Sequence, residues 1–296
     1  MQCTLLGTGT SHGIPVIACN CECCLSSDSK DKRLRTSLWV TEKTDGGKIK
    51  TSVLIDIGPD FRMQALRFGI NKVDALLLTH GHADHLNGLD DIRIFSHTCS
   101  KEPPAKDGTQ RVYPETKGKG LPVYGNATTL KDVHTRFDYI FKPVMEGGGK
   151  PKICTIDCSR YNLENPLQIN SLSIIPVPMK HGAIDSTGYL IRKDNKSIAY
   201  LTDCSFISEE SINLLHSAGG TICHLIIDGL RSRTHTTHLS FEEALVYAKK
   251  IGAKKTWLTH ICHDMTHKQI KDYLSIRQSE AEPAYDGLVL TLNDAN

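Results

Sequence analysis

The sequence predicts an α/β (α+β) fold with two sheets in the middle and helices outside. Three observations carry this expectation. Short β-branched or aliphatic runs bounded by Gly, Pro, Asn or Asp recur along all 296 residues, helix-length patterns with start signals lie between some of them, and no repeat of fixed period interrupts the series.

Taken in order, the strand-like runs are Cys3 to Leu6, Ser37 to Val40, Ser52 to Ile55, Ala75 to Thr79, Ser173 to Val177, Gly188 to Ile191, Ser197 to Thr202, His224 to Asp228, Lys255 to Thr259 and Leu288 to Leu292. A short helix is predicted from Glu209 to Ser217, ending at Gly219-Gly220. Ser240-Phe241-Glu242-Glu243 reads as a capping box, in which hydroxyl and carboxylate satisfy the free N–H groups of the first turn. It opens a helix to about Ile251, with Gly252 as its stop, and Thr266-His267-Lys268-Gln269 opens another. Lys101 to Gly120 and Met145 to Lys152, rich in Gly, Pro and Lys, are expected as exposed loop insertions in a single domain spanning 1–296.

Composition removes several function classes. With 35 Lys+Arg against 33 Asp+Glu, the net charge is +2, so no single-sign field is available to hold nucleic acid or anionic membrane by bulk attraction. Mean hydropathy is −0.27, and no apolar run approaches the roughly 20 residues a membrane helix needs. Met1 to Gly7 enters a strand pattern without a basic flank and apolar core, so a secretory leader is not expected and the cytoplasm is the expected compartment. Eleven Cys, an odd number, fit reduced thiols and metal ligands better than a disulfide framework.

The most informative segment is Ala75-Leu76-Leu77-Leu78-Thr79 followed by His80-Gly81-His82-Ala83-Asp84-His85. An apolar strand ending in His-x-His-x-Asp-His places four ligand-type side chains where the backbone turns, a donor set suited to Zn, Mn or Fe. Four such groups in one run point to two ions, since a hydrolytic metal keeps an open position.

This pattern resembles the metal signature of the metallo-β-lactamase superfamily, which implies a four-layer αββα sandwich with the site at one edge. Leu6 to Pro15, Arg33 to Ser37, Asp56 to Arg62 and Gly88 to Arg93 resemble a narrower branch, typified by the phosphoribosyl cyclic phosphate phosphodiesterase of the carbon-phosphorus lyase pathway. The resemblance implies His80, His82 and His181 on one metal, Asp84, His85 and His260 on the other, and Asp203 bridging. It further implies a hydroxide shared by two divalent ions (Zn or Mn) that attacks phosphorus, with Asp84 and His238 as the catalytic residues and His235 as the alternative to His238. Asp56 is expected as a buried carboxylate that ties loops together and orients ligands.

Cys19-Asn20-Cys21-Glu22-Cys23-Cys24 holds four thiols in six residues, and His263 follows His260 by three. In the resembling branch such a knuckle holds a structural zinc, which falls here on Cys19, Cys21, Cys24 and His263, with Cys23 and Cys262 as possible substitutes. Cys3, Cys99, Cys154, Cys158, Cys204 and Cys223 read as ordinary core or loop residues. His12, Arg231, Arg233 and His235 are candidates for gripping phosphate or sugar. The expected function is hydrolysis of a small, cyclic phosphodiester, and the resemblance implies a homodimer. Transfer-RNA 3′ processing nucleases share the signature, but the gap from His181 to Asp203 is only 22 positions (203 − 181), too short for their substrate-binding arm. Thioesterases or other acyl hydrolases of the same fold, and a non-catalytic metal-binding scaffold, are the remaining alternatives.

Overall fold

A computed structural model describes residues 1–96, 120–143, 149–218, 220–277 and 279–293. Of the two expected insertions, 101–119 and 145–148 lie outside the described residues, as does Cys99.

In the first half of the chain, strands β1 (Gln2–Gly7), β2 (Ser37–Lys43), β3 (Ile49–Ile55), β4 (Ala75–Leu77), β5 (Leu121–Gly125) and β6 (Ile153–Asp157) alternate with helices. These are α1 (Glu22–Leu25), α2 (Phe61–Phe68), α3 (Ala83–Leu86), α4 (Ala127–Arg136) and α5 (Asp138–Phe141). The second half adds β7 (Leu167–Ile169), β8 (Leu172–His181), β9 (Ile184–Lys193), β10 (Lys196–Leu201), β11 (Thr221–Asp228), β12 (Lys255–Thr259), β13 (Glu282–Pro283) and β14 (Val289–Thr291), with α6 (Glu209–Ser217), α7 (Phe241–Ile251) and α8 (His267–Ile276). One sheet runs β14-β1-β2-β3-β4-β5-β6 and the other β13-β12-β11-β10-β9-β8-β7. Each half of the chain therefore makes one sheet, and β14 alone crosses back to pair antiparallel with β1.

Burial explains the layering. Leu38, Val53, Ile55 and Leu77 of one sheet pack on Ile174, Ile191, Tyr200 and Ile226 of the other, forming the middle core. The outer face of the first sheet is covered through Phe61 and Val133, and that of the second through Ile212, Phe241 and Ile270. Both faces of each sheet are thus apolar, giving the αββα sandwich expected from the sequence. The predicted caps form as read: Ser240 and Thr266 each make a complete capping box, and Gly252 ends α7 at φ 70°. Sequence reading missed β5, β6, β7, α2 and α4.

The strand ends that carry His80, Asp203, Asp228 and His260 gather at one edge because β4, β10, β11 and β12 point the same way within their parallel ladders. Asp56, Asp203 and His260 adopt left-handed backbone, at φ 61°, 54° and 58°. For non-glycine residues such conformations are costly and concentrate where function fixes the chain.

Candidate metal centre

His80 and His82 follow β4, Asp84 and His85 lie in α3, His181 ends β8, Asp203 follows β10 and His260 follows β12. One group of donor atoms comprises His80, His82 and His181, and a second comprises Asp84, His85, Asp203 and His260, with the atoms in each group within 4.8 Å of one another. All seven residues predicted for the two ions are therefore brought together.

Hydrogen bonds aim the imidazoles. Asp56, with no exposed surface, accepts from His85 Nδ1 at 2.7 Å and from the Thr79 backbone N–H at 2.9 Å. The Thr79 hydroxyl donates to Asp56 as well, which leaves its oxygen to accept from His80 Nδ1 at 3.0 Å. One carboxylate thus orients a histidine of each group, the role expected for it. His181 Nδ1 donates to the Thr237 carbonyl at 2.6 Å. In all three rings Nε2 is left facing the centre. The Nε2 atoms of His80 and His85 are both buried without a well-formed hydrogen bond; for His80, with no close partner, this costs about 1–3 kcal/mol unless something else is bound.

The spacing fits cations. Ligands 2.0–2.1 Å from a tetrahedral metal stand about 3.4 Å apart. His85 Nε2 lies 3.2 Å from both Asp84 Oδ2 and Asp203 Oδ2, and His260 Nε2 lies 3.2 Å from Asp203 Oδ1 and 3.6 Å from Asp84 Oδ2. Asp203 also faces His80 Nε2 at 3.9 Å, so it looks toward both groups. Electrostatics agrees. Burial alone would depress His85, yet Asp203, Asp84 and Asp56 raise it well above its ordinary value. Burial and the neighbouring His85 push His80 well below its own. The cluster calls for positive charge between its carboxylates while burial keeps His80, His82 and His181 neutral, as metal ligands must be.

His238 sits beside these groups, its ring stacked on His260 at 4.5 Å and edge-on to His181 at 4.5 Å. Its Nδ1 donates to Asp228 Oδ2 at 2.7 Å, and the same oxygen accepts from the Cys204 N–H at 3.0 Å. Burial would lower His238, but Asp228 outweighs it and raises the imidazole to about 9. Asp228 was not singled out from the sequence, although it closes an apolar strand in the manner of Asp203. His235 approaches His238 at 5.3 Å between ring centres. Arg231 donates to the Thr234 carbonyl at 3.3 Å, Arg233 is paired with Asp264 at 3.0 Å, and His12 is exposed in the turn after β1.

The thiol cluster also assembles. His263 Nδ1 lies 3.3 Å from Cys19 Sγ and 3.4 Å from the Sγ atoms of Cys21 and Cys24, close to the roughly 3.6 Å edge of a tetrahedral zinc with sulfur and nitrogen ligands. The Cys24 N–H, donating to Cys21, leads a set of contacts that hold that thiol down at about 6. Burial pushes Cys23 up to about 12 and keeps it a neutral core residue outside the donor set. Cys262 is likewise raised by burial, to about 11.

Comparison with known proteins places the fold. The family model of the beta-lactamase superfamily domain matches residues 51–261. The crystal structure of a diphosphatase from the PhnP family superposes with a TM-score of 0.74 at 36% identity, covering 98% of this chain and 96% of that one. An octanoyltransferase of Porphyromonas gingivalis is 35% identical over 297 residues, 99% of this chain but 52% of that protein. The chain therefore spans about half the length of this curated relative. The short form of human tRNase Z aligns over 99% of both chains with a TM-score of 0.61 at 17% identity, a likeness of fold alone.

Proposed function

The chain belongs to the beta-lactamase superfamily, and from that premise we propose that it is a metal-dependent hydrolase of small, cyclic phosphodiesters. One observation carries the reading: buried imidazole Nε2 atoms without hydrogen-bond partners converge with two carboxylates at tetrahedral ligand spacing. His80, His82 and His181 would hold one divalent ion, Asp84, His85 and His260 the other, and Asp203 both. When bound, the pair supplies Lewis acidity at the phosphate oxygens and an activated water at neutral pH. The chain's own residues do the rest. Asp56 fixes the rings of His80 and His85, and Asp84 orients the nucleophile. Asp228 holds the Nδ1 proton of His238, so that Nε2 presents a proton to the departing oxygen. Arg231, Arg233, His235 and His12 are the candidates for gripping the phosphate or sugar, with His235 beside His238. Cys19, Cys21, Cys24 and His263 would hold a structural zinc that braces the N-terminal loop.

The likeness to the PhnP-family diphosphatase supports a phosphorus rather than a carbon centre. Residues between His181 and Asp203 are taken up by β9 and β10, which leaves no arm for transfer RNA at that position. A second reading, hydrolysis of an acyl ester or thioester, draws on the octanoyltransferase relative. A single domain and a cytoplasmic compartment are read from the sequence, and a homodimer from the family resemblance.

The test is metal analysis followed by assay of the loaded protein on bis-p-nitrophenyl phosphate, cyclic phosphodiesters, a thioester and a β-lactam. The expected result is about three ions per chain and turnover of the diesters. Turnover of the thioester alone would move the assignment to acyl carbon, and a loaded protein inert on every substrate would make it a scaffold.

A further inference from the structure

His260 differs from His80, His85 and His181 in how it is held. Asp56 orients His85, Thr79 orients His80 and Thr237 orients His181, but the buried Nδ1 of His260 has no hydrogen-bond partner. Its ring is held by stacking between His85 and His238, and its direction is set by a left-handed backbone at φ 58°. What fixes that backbone therefore fixes the ligand. The next residue, Ile261, is gripped on both sides by the N-terminal loop: its N–H donates to the Thr8 carbonyl at 3.0 Å, and its carbonyl accepts from the Thr10 N–H at 3.1 Å.

Thr8 is in turn clamped. Its hydroxyl donates to Asp286 Oδ1 at 2.8 Å and accepts from an Arg33 terminal nitrogen at 2.8 Å. Arg33, 2% exposed, also donates to the Ala284 carbonyl and to His267 Nδ1. Asp286 Oδ2 accepts from the Leu34 N–H at 2.7 Å. Gly7 and Gly9 let the two segments close: a Cβ on Gly7 would stand 2.0 Å from the Arg35 carbonyl oxygen, and one on Gly9 2.9 Å from the Arg33 Cβ. A buried cation and a buried carboxylate here converge on one buried hydroxyl, an expensive arrangement unless it fixes geometry.

We propose that Thr8, Arg33 and Asp286 form a positioning clamp that aims His260 at its metal through the Thr8–Ile261 backbone pairing. The proposal rests on the reading of His260 as a ligand. Thr8 touches neither metal nor substrate, so it acts only through Ile261. Loss of the clamp lets the left-handed turn at His260 relax and selectively weakens the ion that His260 shares with Asp84 and His85. Supporting partners of metal ligands typically contribute about 10- to 100-fold in affinity.

The experiment compares wild type, Thr8→Val, which removes the hydroxyl at equal volume, Thr8→Ser, which restores it, and Asp286→Asn, which reaches the clamp from the other side. Ion stoichiometry is titrated against a competing chelator, and the cobalt-substituted proteins give the ligand-field spectrum. Expected are about 10- to 100-fold weaker binding of one cluster ion in Thr8→Val and Asp286→Asn, a changed spectrum at one site, the other ions retained, and recovery in Thr8→Ser. Wild-type affinity in both lesion variants would overturn the clamp, as would equal weakening of every ion. Wild-type protein that takes up no ions at the histidine cluster would overturn the ligand reading itself, and the clamp with it.

Discussion

Asp228→Asn isolates the contribution of one buried charge to the proton that His238 carries. Asparagine keeps an oxygen to accept from His238 Nδ1 and the Cys204 N–H, both of which now meet the same carboxylate oxygen, so fold and tautomer survive. What disappears is the negative charge that lifts the imidazole to about 9 against the lowering effect of burial. Because the folded value is raised, the cation persists as pH climbs toward 9 and is lost above it. With the charge removed, His238 falls back toward an ordinary imidazole value of about 6.5. At pH 8 the protonated fraction then drops from about 90% to about 3%, roughly thirtyfold, whereas at pH 6 the two proteins differ less than about twofold. The assay is kcat/KM from pH 5.5 to 9 on a diester with an alkoxide leaving group, beside one releasing p-nitrophenolate, which needs little proton assistance. A loss equal at both pH values, or equal for both leaving groups, refutes a proton-donating His238.

Asp56→Ala leaves the Thr79 N–H, the Thr79 hydroxyl and His85 Nδ1 without their acceptor; affinity for both cluster ions should fall about 10- to 100-fold, read by chelator competition. Cys21→Ser should remove one zinc per chain and lower Tm by about 2–4 °C for each kcal/mol lost; Cys23→Ala should leave the zinc count unchanged. His267, lowered to about 4 mainly by burial and then by Arg33, binds more protons unfolded than folded. Stability should therefore be complete above pH 6.5 and fall as pH drops toward 4, by about 2 kcal/mol after solvent screening. Urea melts of wild type against His267→Gln measure that difference.

Legibility in the sequence followed how local the signal was. His80 to His85 sit in one run, and the capping boxes at Ser240 and Thr266 are four-residue patterns, so these could be read directly. His181, Asp203 and His260 could be chosen among many strand-end polar residues only through the resemblance, because each is separated from the next by long stretches of chain. Strands β5 and β6 were missed because Leu121-Pro122-Val123-Tyr124-Gly125 and Ile153-Cys154-Thr155-Ile156-Asp157 sit beside Gly- and Lys-rich stretches that drown a five-residue pattern. Arg33 was legible only as one residue of a branch motif, with no sign that it is buried. A buried guanidinium is recognisable only once Thr8, Ala284 and His267, scattered over the length of the chain, surround it.

The two sheets are built from successive halves of the chain, and the histidine cluster draws His80, His82, Asp84 and His85 from the first and His181, Asp203 and His260 from the second. Cations held there would act as rivets across the seam between the halves. Each ion would then add about 2.7 kcal/mol to folding when its free concentration is a hundred times its dissociation constant. Resistance to unfolding should accordingly track the supply of metal, and starvation for metal should loosen the sandwich along this edge before the opposite one.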